Sequence, residues 1–242
     1  MQSDIALCFS KAAQTYDTQA EFQYFAAEKL VQTIHKMPKR ILDIGCGTGI
    51  LTALLHQKFP DTHFTMLDIS PVMLKFAQTK LGNNNIDYIC GSADDVALIH
   101  NIINKNKIDM IVSNLCFQWL KNPCYLIKTY QNYAETYMSV LLNKSFYQWH
   151  ESVKTIKPDF LLPISVMSPN ITNNHYEYHI KYTNGLAFLR SQKKLGTLGH
   201  SVNIGNRLTV KQLKTACAVF ETEYHAKISY YLGIVTNYHQ DS

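Results

Sequence analysis

Asp43-Ile44-Gly45-Cys46-Gly47-Thr48-Gly49 is the stretch whose residue types and spacing say most about chemistry. An acid is followed by three glycines at alternate positions, a run that turns tightly and lets a ligand approach the backbone with no Cβ in the way. A dinucleotide loop would space its glycines Gly-x-Gly-x-x-Gly and seat a pyrophosphate on a helix N-terminus. Here the spacing is Asp-x-Gly-x-Gly-x-Gly, and a carboxylate beside the loop would repel a diphosphate. It suits a cation instead. S-adenosylmethionine, positive at its amino group and at its sulfonium, has the required charge.

A second acid fits the same ligand. Asp68 stands nineteen residues beyond Gly49 at the end of the next apolar run, where a carboxylate can accept both ribose hydroxyls. Its plain alternative is a helix N-cap, for which Ser70 before Pro71 is better placed. Further along, the polar side chains and backbone amides of Gly91-Ser92-Ala93-Asp94 could meet the exocyclic nitrogen of an adenine, or the stretch could simply be a turn. Asn114 falls at the carboxyl end of a strand, where ligands of open α/β sheets collect. Gln118-Trp119 could shape the same pocket or only pack.

The elements that must position these residues alternate. Residues 1–37 have helical spacing (Phe22, Phe25, Ala26, Leu30, Ile34). Strands are expected at 41–44, 64–68, 86–90, 108–113 and 137–142. Helices are expected at 51–59, 71–81, 96–104 and 122–135. This cadence predicts a doubly wound α/β fold with a mainly parallel, Rossmann-like sheet. After residue 150 the rhythm breaks, around Pro158, Pro163 and Pro169. A strand-like 176–182, a helix at 185–195, a helix at 209–220 capped by Thr209 and a last strand at 227–238 follow. The expected organisation is one domain over 1–242, with a helical segment at 1–37. An insertion at about 146–205 is expected to follow the fifth strand and pack over the sheet.

Composition excludes several classes. Hydrophobic residues are 46% and charged ones 17%, as in ordinary soluble globular proteins. No basic leader opens the chain, and no apolar run approaches the ~18 residues of a membrane helix. The expectation is a cytoplasmic protein. Six dispersed cysteines without a Cys-x-x-Cys pair read as reduced core residues. His175 and His179 alternate on a strand, roughly 13 Å apart, too far for one metal ion, so no metal is expected. The net charge of +5 gathers in the second half, where 151–242 carries 10 basic and 6 acidic groups against 13 and 12 in 1–150. That is a mild excess, not the dense basic stripe of a nucleic-acid binder.

The Asp-x-Gly-x-Gly-x-Gly loop, with Leu67-Asp68-Ile69-Ser70 and Met73-Leu74, resembles the class I S-adenosylmethionine-dependent methyltransferases. Four further segments resemble, more narrowly, the malonyl-acyl-carrier-protein O-methyltransferases of biotin synthesis: residues 9–17, 113–120, 188–196 and 230–235. The resemblance covers nearly the whole chain. It departs at Ser92, where the family usually has Asp, at 133–137, which lack a glycine pair, and at Gln192, which interrupts a basic helix.

This resemblance implies methyl transfer from S-adenosylmethionine to a malonyl carboxylate. The implied cofactor residues are Asp43, Gly45, Cys46, Gly47, Gly49, Asp68, Ile69, Met73, Ser92, Ala93 and Asn114. A carboxylate is already ionised near pH 7, so no general base is expected. Arg190 is expected to clamp it bidentately, or else to be a solvated helix residue. By resemblance Tyr16 covers the cofactor or substrate; by sequence alone it packs an amphipathic face. Lys181, Lys193 and Lys194 could face an acidic acyl carrier protein, or merely solubilise the chain.

Three rivals remain at this point. They are a class I methyltransferase of another small acid or metabolite, an RNA methyltransferase, and a scaffold without turnover. The second would carry an Asn/Asp-Pro-Pro-aromatic motif where Ser113-Asn114-Leu115-Cys116-Phe117 stands; the intact glycines and Asp68 argue against the third.

Overall fold

Residues 2–161, 166–197 and 208–237 are described by a computed structural model of the chain. Pro163, residue 238 of the last expected strand and the 198–205 end of the expected insertion lie outside them.

The strands are β1 (Arg40–Ile44), β2 (His63–Asp68), β3 (Ile86–Cys90), β4 (Met110–Asn114), β5 (Glu135–Leu141), β6 (Asn174–Lys181) and β7 (Lys227–Thr236). They form one sheet in the order β3-β2-β1-β4-β5-β7-β6. The pairs from β3 across to β5 are parallel, and β7 pairs antiparallel with both β5 and β6. β1 lies between β2 and β4, so the strand order reverses there. A crevice opens at that switch, beyond the carboxyl ends of β1 and β4.

The helices are α1 (Gln2–Tyr16), α2 (Glu21–Thr33), α3 (Ile50–Lys58), α4 (Pro71–Leu81), α5 (Val96–Asn106), α6 (Pro123–Gln131), α7 (Tyr147–Lys154), α8 (Gly185–Lys194) and α9 (Val210–Tyr224). They cover both faces of the sheet. Ile41, Met66, Met110 and Val112 face one core with α2 and α3, through Leu30 and Leu51. Their strand neighbours Leu42, Leu67 and Ile111 face the other, with Ile99 and Ile103 of α5 and Leu126 of α6. Strand side chains alternate between faces, and with both faces buried β1, β2 and β4 read as short, mainly apolar runs. Start signals act as expected. The Ser70 hydroxyl accepts from Met73 N at the start of α4, and Thr209 with Gln212 forms a capping box on α9.

Three expectations need amendment. The amino-terminal helical stretch is two helices, broken at 17–20, where the Thr18 hydroxyl donates to the Thr15 carbonyl and draws the chain into a turn. α7 occupies residues to which the sequence assigns no element. Its inward face is partly polar: Gln148 and Ser152 are buried beside Trp149 and Val153, so no apolar period marks it. Gln148 bonds both the backbone and the hydroxyl of Ser229 on β7. Lastly, β6 does not pack over the sheet but extends it, pairing with β7 along its whole length. Tyr178 of β6 stacks on Phe25 of α2 at 4.4 Å between ring centroids, which fixes the register of this edge. Among the described residues no helix is long and apolar enough to cross a membrane.

Candidate active site

The loop from β1 to α3 hangs from the end of β2. The backbone N–H groups of Gly45 and Cys46 both donate to the Leu67 carbonyl, at 2.8 and 3.0 Å. Gly45 and Gly47 hold φ of +70° and +55°, in the left-handed region that side chains resist. They are glycines for different reasons. A Cβ on Gly45 would lie 2.3 Å from Sγ of Cys116, so the loop there is pressed against the segment after β4. A Cβ on Gly47 would meet nothing within 4 Å. There the missing side chain leaves room for a ligand.

Asp68 ties the two strand ends together. Its Oδ2 accepts from Gly47 N at 2.9 Å and its Oδ1 from Ser70 N at 2.8 Å. Burial raises its pKa, while the N–H groups of Ser70, Gly47 and Ile69 oppose the rise. Asp43 is fully buried. Burial pushes it up to about 7, against the pull of a hydrogen bond from the Thr52 hydroxyl to Oδ2 (2.6 Å). Its Oδ1 is buried with no hydrogen-bond partner among the described residues. A buried carboxylate oxygen without a partner is costly to ionise.

Gly45, Gly47 and Asp68 border a cavity at the carboxyl ends of the strands, open to solvent on one side. Of the residues expected to bind the cofactor or cover it, Tyr16, Gly45, Gly47, Asp68, Ile69, Met73, Ser92, Ala93 and Asn114 line this cavity. Asp43, Cys46 and Gly49 do not. Asn114 is held at both ends, its Oδ1 accepting from the Ser139 hydroxyl (2.6 Å) and its Nδ2 donating to the Gln23 carbonyl (3.0 Å). Behind Ser92, the Tyr130 hydroxyl donates to the Ala93 carbonyl at 2.6 Å and fixes that turn.

Sequence reasoning missed part of the lining. Ile5 and Phe9 join Tyr16 along the inner face of α1, and their i, i+4, i+11 spacing was there to be read as one helical face. Asp94 also lines the cavity, two positions beyond Ser92, with Oδ1 accepting from Lys121 N at 3.1 Å. An acid is therefore present at this turn, displaced from where the family resemblance puts it. The Tyr16 hydroxyl has its pKa raised by burial and by the charges of Asp68 and Asp17.

Arg190 is elsewhere. α8 buries Phe188, Leu189, Ser191 and Gln192, which turns Arg190 to the outside; it is exposed and does not line the cavity. Gln192, which breaks the basic pattern of this helix, is buried and accepts from the Thr197 hydroxyl at 2.8 Å. Lys181, Lys193 and Lys194 are all exposed. His179 is engaged by Ser229 and Glu177, and His175 by Thr172. The described residues contain no group of His, Cys, Asp and Glu poised for a metal ion.

The lining fits S-adenosylmethionine: an open cradle at Gly47, a carboxylate at Asp68 and an aromatic roof, with the buried carboxyl of Asp43 off the lining. Comparison with known proteins agrees. Residues 41–134 match the family described as methyltransferase domain. Malonyl-acyl-carrier-protein O-methyltransferase 1 of Ilyobacter polytropus is 32% identical over 211 residues, covering 78% of this chain and 75% of the relative. The malonyl-acyl-carrier-protein O-methyltransferase of Neorickettsia risticii is 28% identical over 253 residues, covering 97% and 96%. Among solved structures, a chain from the complex of the Haloferax volcanii Trm112 methyltransferase activator with a methyltransferase shares the fold. Its TM-score is 0.52 at 13% identity, over 93% of this chain and 96% of that one.

Proposed function

The chain belongs to the malonyl-acyl-carrier-protein O-methyltransferase family, and from that premise we propose that it methylates the free carboxylate of a malonyl group carried on acyl carrier protein. The sequence resemblance assigns this step to biotin synthesis. The observation that carries the reading is the kinship with the Ilyobacter relative over three quarters of that protein's length. The acid-and-glycine cavity supports it.

When bound, S-adenosylmethionine supplies an electrophilic methyl group on a sulfonium. The chain's own residues hold and orient. Asp68 and the open backbone at Gly47 would take the ribose side, while Asp43, buried and off the cavity lining, would act on the cationic end only through its charge. Ser92, Ala93 and Asp94 border the part of the cavity beyond β3, suited to an adenine ring. Phe9 and Trp119, edge to face at 5.5 Å, with Tyr16, exclude water from it. The substrate carboxylate is ionised near pH 7, so the site need supply only alignment, and no side chain has to remove a proton.

Arg190, expected to clamp that carboxylate, stands on the outer face of α8, away from the cavity lining. We therefore assign it, with Lys193 and Lys194, to docking of the carrier protein. Leu186 (48% exposed) begins the same helical face. Lys11 and Leu7 lie exposed on α1, which packs against α8. Lys181, at the end of β6, is an outlying member of the same set. Cations interleaved with apolar side chains suit an acidic protein surface, and attraction of this kind weakens with salt.

The test offers purified protein and S-adenosylmethionine a panel: malonyl-acyl carrier protein, a small malonyl thioester and free dicarboxylic acids. Methylation should be fastest on the carrier-bound malonyl group. Equal or faster methylation of a free acid would overturn the substrate assignment while leaving the methyltransferase reading in place.

A further inference from the structure

α1 is the roof of the cofactor cavity, with Ile5, Phe9 and Tyr16 turned into it. A ligand bound beneath it would be bordered on that side by α1, so the hold on α1 would bear on how fast the ligand leaves. Among the described residues, three hydrogen-bonded ties hold α1 down. The hydroxyls of Ser10 and Ser70 are 2.7 Å apart, joining the middle of α1 to the start of α4. The Thr15 hydroxyl donates to the Lys194 carbonyl at the end of α8, at 3.1 Å. The third tie is made by Asp17, immediately after α1. One of its carboxylate oxygens accepts from the Thr48 hydroxyl, and the other pairs with the Lys80 ammonium of α4.

This third tie differs from the others. It is charge-assisted, and so stronger than the two neutral contacts. It also reaches the ligand cradle itself. Thr48 is 2% exposed and sits in the loop between Gly47 and Gly49, so one carboxylate joins the roof of the cavity to its floor. The Lys80–Asp17 pair is about one-third exposed on each side (33% and 34%), open enough to break and re-form and to feel salt. Asp17 also follows Tyr16 directly, so its anchoring sets where that ring stands over the cavity.

We propose that Asp17 is the latch of this roof, a positioning residue that sets how fast the cofactor enters and its demethylated product leaves, without touching the reacting atoms. The proposal rests on the S-adenosylmethionine reading of the cavity, and not on the identity of the methyl acceptor.

The test measures release of S-adenosylhomocysteine by stopped-flow displacement from the full chain and from Lys80→Met, Thr48→Val and Thr48→Ser. Lys80→Met should speed release about tenfold, the scale of one charge-assisted bond in partly exposed surroundings. Release from the unaltered protein should quicken with added salt, and that from Lys80→Met should not. Thr48→Val should behave like Lys80→Met, while Thr48→Ser, which keeps the hydroxyl, should release at the original rate. Amide exchange over 2–16 should quicken in step with release, a readout that a simple loss of global stability would spread over the whole chain. Unchanged release from Lys80→Met at low salt would overturn the proposal. Should Thr48→Val fail to fold, the partly exposed Lys80 variant decides alone. Because the probe is the cofactor product alone, failure to methylate malonyl-acyl carrier protein would not alter this result.

Discussion

Gly45→Ala and Gly47→Ala place the same methyl group on one loop, and the account requires them to fail in different ways. Either alanine must hold a left-handed φ, at +70° or +55°, which costs about 1–2 kcal/mol. At Gly47 that is the whole structural cost, because the new Cβ meets nothing within 4 Å. For a chain of this length the unfolding midpoint should fall by about 2–8 °C. At Gly45 the Cβ would be 2.3 Å from Sγ and 2.6 Å from Cβ of Cys116. Overpacking of that kind adds about 1–3 kcal/mol, so this variant should be clearly the less stable. Binding should follow the cradle. Gly47→Ala should stay folded yet bind S-adenosylmethionine more weakly by over about tenfold, as a methyl group intrudes where a ligand meets the backbone. Thermal unfolding without ligand and calorimetric titration with the cofactor read the two effects separately. A folded Gly47→Ala protein with undiminished affinity would refute the reasoning, as would a Gly45→Ala protein more stable than Gly47→Ala.

Two further outcomes follow from the site. Asp43 carries a folded pKa raised to about 7, so the ligand-free protein binds an extra proton between its unfolded value and that pH, and this group's contribution to stability is lost as pH rises through the window. A cationic ligand favours the ionised form, so cofactor affinity should climb from about pH 6 to 8. Asp43→Asn should flatten the profile in calorimetry; affinity that falls over this range, or an unaltered slope in the variant, would contradict the assignment. Arg190→Ala should raise KM for malonyl-acyl carrier protein by about 3- to 10-fold at low salt, with the difference vanishing at high salt and kcat on a small malonyl thioester unchanged; loss of turnover on that thioester would return Arg190 to the role of carboxylate clamp.

Most of the fold was legible because its signals are local. β1, β2 and β4 are buried on both faces and read as short apolar runs, and Ser70-Pro71 and Thr209 mark helix starts through hydrogen bonds within one turn. What escaped is non-local. α7 turns Gln148 and Ser152 inward because Ser229, eighty-one residues after Gln148, supplies the partners, and no periodicity reports that. β6 belongs to the sheet because β7 and the rings of α2 receive it. At the site, the glycines and Asp68 could be placed from spacing, since the geometry of a strand–turn–helix fixes them. What no single stretch reports is that the turn after β3, with Asp94, and the inner face of α1, with Ile5, border one cavity. Arg190 shows the converse: a charge in a recognisable segment carries no information about the direction in which its helix turns it, and the buried Gln192 beside it is what decides.

The most direct test of the central claim gives the protein S-adenosylmethionine labelled on its methyl group together with malonyl-acyl carrier protein, and locates the label. Label is expected on the acyl group as a methyl ester, released as methanol by mild base. Label that resists base, or that appears on the carrier protein's own side chains, would contradict it.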